Sequence, residues 1–552
     1  MKNKLRLLSL VLAVATVFTL FIGCKNNKNE DIIILFTSDV HCGLDENIGY
    51  AGLAAYKKYC QSITEYTTLV DCGDAIQGDL VGTVSDGEFV IDIMNKVGYD
   101  LAILGNHEFD YGMQQLNTLI KQAGAEYLGC NITYKGSSEN LLSDVKPYKI
   151  IEYGDTSVGF VGVSTPYSIS SSTPTYFQEN GEYVYGFTSD SAEAFYSCIQ
   201  SSVDECINKG ADHVVLMTHL GDTEAYTPFS SVDVIKNTTG IDAVLDGHEH
   251  SVIPCKIETN KNSEKVFLSS TGTKLDNIGR LTISSSGEIT VGLISDYSEK
   301  DAETETFVNN IKKSFEEELN TVVGKSETTL SVNDENGIRM IRSREMPLGN
   351  FCADAYRAVA GADIGLVNGG GVRATIEQGD ITYADMISVH PFGNTLCMVE
   401  ATGQEILDTL EIASVSTEKE YVKDGTAFGE NGSFLHVSGL KYTIDTSIAS
   451  TVEFDNNGMM TSLGDARRVK NVQVVTPDGS YEPIDPEKTY TVASHNYLLK
   501  SGGGGHTFFN DNNLLINEGM SDYELLINYL TEFLDGKIDS LYSSTEGRIT
   551  IE

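Results

Sequence analysis

The chain has 552 residues, too many for one hydrophobic core, which rarely grows past ~250–300 residues, so two or more domains are expected. A formal net charge of -41 excludes wholesale binding to nucleic acid polymers, which takes a basic footprint, and leaves any anionic substrate to be drawn in by local cations, either bound metals or a few arginines. Hydrophobic residues make up 41% and the mean hydropathy is -0.14, so beyond its N-terminus the chain reads as ordinary soluble globular protein.

The first element is a targeting segment. Lys2, Lys4 and Arg6 precede an apolar run from Leu7 to Ile22, followed by Gly23 and Cys24. The run is too short and wrongly flanked for a membrane span and predicts a signal peptide. Phe21-Ile22-Gly23-Cys24 resembles the lipobox of bacterial lipoproteins, with Phe21 in place of the usual leucine. That resemblance implies a lipidated Cys24 after a signal at residues 1–24, a tether at 25–30, and a protein held on the extracellular face of the membrane. Plain signal-peptidase cleavage is the alternative. The nine remaining cysteines include no Cys-x-x-Cys pair, and many sit in apolar runs, as Cys198, Cys206 and Cys352 do, which points to buried free thiols.

Residues 31–298 carry short β-branched runs without alternation: Ile32–Phe36, Thr68–Val70, Leu101–Leu104, Val158–Val163, Val214–Met217 and Ala243–Leu245. Such runs predict strands buried on both faces. Helical stretches at Ala51–Cys60, Phe89–Val97 and Met113–Ala123 lie between them, as in an α/β or layered domain. Phe307, Val308, Ile311, Phe315 and Leu319 recur at helical spacing among charges, which predicts an amphipathic linker helix within 299–322 and a hinge between domains. A second domain is expected at 323–552, with a helix at Leu348–Val359 and a strand at Ile364–Val367.

Polar clusters follow five of the predicted strands. Asp39-Val-His41 comes after the first; Asp71 and Asp74 to Gln77 after the second; Asn106, His107 and Asp110 after the third. His219 and the pair His248 and His250 follow the last two. In an α/β sheet such ends converge on one edge, and Asp, His and Asn form the mixed oxygen and nitrogen shell that borderline divalent metals favour. Each piece alone is commonplace in structural turns; five in succession at strand ends are not. Asp110 also stands where it would cap a helix opening Tyr111–Ala123.

These motifs, Asp39-Val-His41, Gly73-Asp74-Ala-Ile-Gln77-Gly78, Gly105-Asn106-His107-Glu108, His219 and Gly247-His248-Glu249-His250, resemble those of calcineurin-like metallophosphoesterases, and the Gly-Asn-His-Glu-Phe-Asp form resembles the 5′-nucleotidase family. The resemblance continues through Arg342-Ser-Arg344, Asn368-Gly-Gly-Gly-Val-Arg373, Pro391-Phe392-Gly393-Asn394, Asn496-Tyr497-Leu498 and Gly502–Gly505. It implies a four-layer α/β/β/α metallophosphatase domain joined to an α/β substrate-specificity domain, with the site between them and domain rotation about the linker. Asp39, His41, Asp74 and His250 would hold one divalent metal, and Asp74, Asn106, His219 and His248 a second; zinc and manganese are the metals the family commonly uses. Some members have glutamine in place of His250. His107 would contact the phosphate in the transition state, with Asp110 fixing its tautomer. Arg342, Arg344, Asn368 and Arg373 would bind substrate, with one of the first two arginines reaching the phosphate, and Phe392 and Tyr497 would clamp a flat base. Gly504 stands where many members carry an aspartate for the ribose.

The expected function is therefore a secreted 5′-nucleotidase that hydrolyses nucleoside 5′-phosphates. A 2′,3′-cyclic nucleotide phosphodiesterase or UDP-sugar pyrophosphatase is the alternative among enzymes, and a non-catalytic nucleotide-binding surface protein the alternative outside them.

Overall fold

The computed structural model describes residues 30–179, 182–423, 426–517 and 519–552. The signal peptide, Cys24 and nearly all of the tether lie outside these residues.

The first strand, Ile32–Thr37, reads IIILFT and is buried throughout. Its neighbours explain why alternation is missing. Ile33 and Leu35 pack into one core, and Ile32, Ile34 and Phe36 into another on the opposite face. The strand runs parallel to Thr67–Asp71 and antiparallel to Ile278–Ile283 in a six-stranded sheet completed by Leu101–Ile103, Glu126–Leu128 and Ile289–Ile294. A second six-stranded sheet centres on His213–His219, parallel to Thr156–Ser164 and to Ala243–Asp246. Ile34, Phe36 and Val70 meet Phe160, Met217 and Leu245 between the two sheets. Helices Gly49–Ile63, Glu88–Val97 and Gly112–Gln122 pack on the outer face of the first sheet, and Ala192–Asn208 and Ser231–Asn237 on that of the second. This is the helix, sheet, sheet, helix layering that the sequence implied.

Helix Ala302–Leu319 lies against the first domain. Val308 is buried there, and the ring of Phe315 stacks on Phe89 at 6.2 Å. The chain then enters the second domain at strand Val322–Ser326. A five-stranded sheet there has Ile364–Asn368 beside Thr489–His495 and Leu435–Ser438, with Leu396–Thr402 and Leu514–Ile516 beyond. Helix Pro347–Ala360 covers it, opening with proline in its first turn and ending at Gly361 in the left-handed region. All nine cysteines among the described residues are free thiols. No helix among the described residues is long and apolar enough to cross a membrane.

Candidate functional site

The parallel strands of the first domain deliver their polar residues at one edge. Asp39, His41, Asp74, Asn106 and His219 are almost wholly buried there, and His248 and His250 partly so. Three groups form in which one ligand atom per residue lies within 4.8 Å of the others: Asp39 with His41 and His250, His41 with Asp74 and His107, and Asp74 with His219 and His248. The Asp39 and His219 groups use the side chains expected to ligate two metals. Asp39, His41, Asp74, His248 and His250 all have positive φ, between 46° and 88°. Non-glycine residues avoid that region, and strained backbone of this kind gathers where a site over-determines it. Two glycines let the ligands converge. A Cβ on Gly247 would come within 2.9 Å of both Asp39 Oδ2 and His219 Nδ1, and one on Gly105 would strike Asp74 Oδ1.

The ring nitrogens are fixed by backbone carbonyls. His41 Nδ1 donates to Gln77 O, and His219 Nδ1 to Cys72 O, each at 2.8 Å. Both Nε2 atoms therefore turn inward, towards the other expected ligands. Burial holds His41 and His248 down at about 3, so both stay neutral. Burial alone would also lower His219, but the carboxylates of Asp74 and Asp39 outweigh it and lift it to about 10. Asp39 is pushed up to about 7 by burial, with Asp74 adding to the rise.

Two observations show that the pocket fits metal ions. Asn106 Oδ1 is buried with no hydrogen-bond partner among the described residues. His41 Nε2 lies 3.0 Å from His250 Nε2, where a bare lone pair needs a proton or a cation between the two. Paired carboxylates in a dry cleft likewise call for positive charge. The carboxylate of Glu108 organises the loops: it accepts the backbone N–H groups of Asp74, Ala75 and Gly105 at 2.7–2.8 Å. Glu108 was part of the sequence motif but carried no assigned role.

His107 sits beside this pocket. Its Nδ1 donates to Asp110 Oδ2 at 2.6 Å, and its backbone N–H donates to Asp74 Oδ1 at 2.8 Å. Burial works to lower its pKa, but the carboxylates of Asp110 and Asp74 prevail and raise it. The expected second role of Asp110 does not appear. Helix Gly112–Gln122 has Tyr111 at its N-cap, without a side-chain cap, because Asp110 is fully engaged by His107 and by Ser172 Oγ at 2.8 Å.

The second domain closes over this edge. Pro391 O accepts from Gln77 Nε2 and Thr83 Oγ1 of the first domain. Phe392 stacks on the His107 ring with centroids 5.6 Å apart, and the Arg373 guanidinium lies 5.5 Å from the centroid of the same Phe392 ring. Tyr497 lies over Gly503 and donates its hydroxyl to Ser170 O of the first domain at 2.9 Å. The Phe392 and Tyr497 rings make no contact with each other.

The arginines divide. Arg342 and Arg373 form no ion pair among the described residues. Burial lowers both, Arg373 to about 10, with nearby Arg339 adding to the effect, yet at neutral pH they remain cations. Arg339, absent from the expected set, is held by a two-point bridge to Glu430 at 2.6 and 2.9 Å. Arg344 is turned away: it donates to the carbonyls of Ser343, Glu418 and Lys419 and lies over Tyr421. Of the two expected candidates, Arg342 is therefore the one left for an anion. Asn368 also departs from the expected role. Its Nδ2 donates to Gly432 O and its Oδ1 accepts from His495 Nε2, both at 3.0 Å, so it shapes the Gly369–Gly371 turn from beneath.

Comparison with known proteins agrees with this geometry. The family model for calcineurin-like phosphoesterase matches residues 32–252, and that for the 5′-nucleotidase C-terminal domain matches residues 322–511. A trifunctional nucleotide phosphoesterase protein of Bacillus subtilis is 26% identical over 94% of this chain, which spans 35% of that longer protein. The 5′-nucleotidase of Bos taurus is also 26% identical, over 94% of this chain and 90% of its own length. Among solved structures, a 5′-nucleotidase precursor from Thermus thermophilus superposes with a TM-score of 0.76 at 25% identity, covering 94% of this chain and 99% of that one.

Proposed function

We propose that this chain, which belongs to the family joining a calcineurin-like phosphoesterase domain to a 5′-nucleotidase C-terminal domain and is a metal-dependent phosphohydrolase, acts as a 5′-nucleotidase that releases phosphate from nucleoside 5′-phosphates. The observation that carries this reading is the shared position of Asp74 in two ligand groups, with the Arg373 guanidinium close enough to feel its charge and Arg342 close to His250, neither arginine ion-paired among the described residues. A phosphate monoester carries the negative charge that these cations call for.

Asp39, His41, Asp74 and His250 would hold one divalent ion, and Asp74, Asn106, His219 and His248 the other, with zinc or manganese suited to this donor set. Such a pair supplies an activated water and neutralises phosphoryl oxygens. The rest is done by the protein. Arg342 and Arg373 orient the phosphoryl group through charged hydrogen bonds. His107, held by Asp110 through Nδ1, would turn Nε2 towards the reacting phosphate, where a proton on it would meet the charge that builds on the phosphoryl oxygens. Phe392 and Tyr497 offer flat surfaces to a base.

Comparing kcat/KM for a nucleoside 5′-monophosphate, a 2′,3′-cyclic nucleotide and a sugar nucleotide, on protein reloaded with a defined metal, tests the reading. The monophosphate is expected to lead. A leading cyclic or sugar nucleotide would replace the substrate, and absence of turnover on all three in metal-replete protein would favour a binding role.

The second part of the proposal concerns location: lipidated Cys24 anchors the protein to the outer face of the membrane. Two acyl chains hold stably where one is marginal. Cys24→Ala should release the protein from the membrane fraction, and unchanged retention would count against the anchor.

A further inference from the structure

Asp110 has two carboxylate oxygens, and only one is used by His107. The other, Oδ1, accepts the hydroxyl of Ser172 at 2.8 Å. Ser172 is buried, 2% exposed, and its own backbone N–H donates to Ser168 O at 3.0 Å. It ends the one-turn helix Ser168–Ser171, which is tied to the end of strand Thr156–Ser164 by the bonds of Ser168 to Thr165 O. Ser168 to Ser172 is thus a stiff, self-bonded segment whose position sets that of Asp110.

The same segment is where the second domain takes hold. Tyr497 donates to Ser170 O at 2.9 Å. Gly458, at the tip of the hairpin formed by strands Val452–Phe454 and Met460–Leu463, packs so closely on Ser170 Oγ that a Cβ there would collide with it. Two residues before Gly458, Asn456 donates from Nδ2 to Ser189 O at 2.5 Å, a further bond between the domains. Ser170 and Ser172 are two residues apart in one turn. What presses on Ser170 therefore reaches Ser172 without any flexible element between them.

We propose that the Ser168–Ser172 segment transmits closure of the second domain to the His107–Asp110 pair, with Ser172 as a positioning residue for Asp110 and, through it, for His107. The inference rests on the role given to His107 above. Orientation of an imidazole depends on the carboxylate behind it, and a carboxylate held at one oxygen only is free to swing. With the second domain seated, Tyr497 and Gly458 fix the turn, Ser172 fixes Asp110, and His107 points at the phosphate. Tyr497 then has two jobs: its ring faces the substrate, and its hydroxyl holds the turn.

Steady-state kinetics on the full chain, with bound metal measured for each variant, tests this. The substrates are a nucleoside 5′-monophosphate and 4-nitrophenyl phosphate, which has no base or ribose. Ser172→Ala should lower kcat about tenfold, the scale of one charged hydrogen bond, with KM within about twofold and full metal content. Ser172→Thr, which keeps the hydroxyl, should restore most of the loss. Tyr497→Phe keeps the ring and should slow both substrates by roughly three- to tenfold. The double variant should be no slower than about the worse single one, because both act through one path. Unaltered kcat in Ser172→Ala, or multiplicative losses in the double variant, would overturn the proposal. So would a Tyr497→Phe defect confined to the nucleotide, since the hydroxyl would then act on the nucleoside. If Ser172→Ala does not fold, Tyr497→Phe still decides through the two substrates. His107→Ala run alongside separates the two layers: normal turnover there removes the role of His107 itself, whereas slow turnover there with a normal Ser172→Ala removes only the link.

Discussion

The metal edge of the first domain and the arginine face of the second meet at one site but are built in opposite ways. At the metal edge every expected ligand stands within four residues of a buried strand and is itself buried or half-buried, and His41 and His219 have a ring nitrogen fixed by a nearby carbonyl. On the facing domain Arg342, Arg373, Phe392 and Tyr497 come from four separate segments, each partly open to the cleft. Two neighbours of the same kinds, Arg344 and Asn368, have their polar groups consumed inside their own domain. A ligand set must bring lone pairs to one point, and short strand-end loops do that locally. A substrate surface needs only donors left without partners, and which donors are left is decided by the whole packing.

The comparison breaks most visibly at Asp74, the residue common to both expected metal sites. Asp74→Ala should take activity to the assay floor and lower bound metal towards one or none per chain, as read by elemental analysis. His107→Ala should keep both metals and slow turnover on the order of 10²–10⁴-fold. If His107→Ala lost the metals while Asp74→Ala kept them, the division between ligand and acid would be reversed.

Across the cleft, Arg373→Ala and Arg342→Ala should each reduce kcat/KM roughly 10–100-fold, the effect of losing a charged hydrogen bond to phosphate. Arg344→Ala should stay within about threefold in kcat/KM and act instead on stability, because its guanidinium binds carbonyls of residues 418 and 419. Equal losses for Arg342 and Arg344 would erase the distinction drawn from the structure.

Acid acts on buried histidines in both domains. Burial holds His390, His436 and His506 at about 4 and His495 at about 3 in the second domain. The unfolded chain takes up these protons near pH ~6.5, so their contribution is complete above that value and is lost as pH falls below it. In the first domain His41 and His248, held at about 3, act with the same sign, whereas His219, raised to about 10, contributes at low pH and its contribution is lost on the alkaline side. In metal-free protein, hydrogen exchange corrected for intrinsic rate should therefore rise between pH 7 and 5 in the sheet holding Ile364–Asn368 and Thr489–His495. Unchanged exchange in that sheet over this range would contradict the assignment.

The smallest effect expected is on ribose. Gly504 offers no carboxylate, and Ser433 Oγ donates to Gly504 O at 2.8 Å instead. Ribonucleotides and deoxyribonucleotides should differ by no more than about tenfold in kcat/KM. A preference near a hundredfold would mean that another group reads the diol. Installing the carboxylate by Gly504→Asp requires Ser433 to move, since its Oγ occupies the space of a Cβ and φ is +66°.

The sequence by itself determined the layered first domain, the linker helix and the metal edge. Unbroken β-branched runs can only be strands covered on both faces, Phe307 to Phe315 can only face one way on a helix, and Asp-x-His at a strand end is a local geometry. The family resemblance added Arg342, Arg344, Asn368, Arg373, Phe392 and Tyr497 as expected substrate contacts through their motifs. Tertiary structure alone decided what those motifs leave open. It left Arg342 free and bound Arg344, because the loop carrying Glu418 and Lys419 returns 74 and 75 residues later to present carbonyls to one and not the other. It assigned Asp110 to His107 and Ser172 in place of the helix cap, because Ser172 arrives from 62 residues away with a hydroxyl that no local pattern announces. Local periodicity and spacing fix what neighbours in sequence must do; the partner of a polar group is set by which distant segment the core brings within about 3 Å.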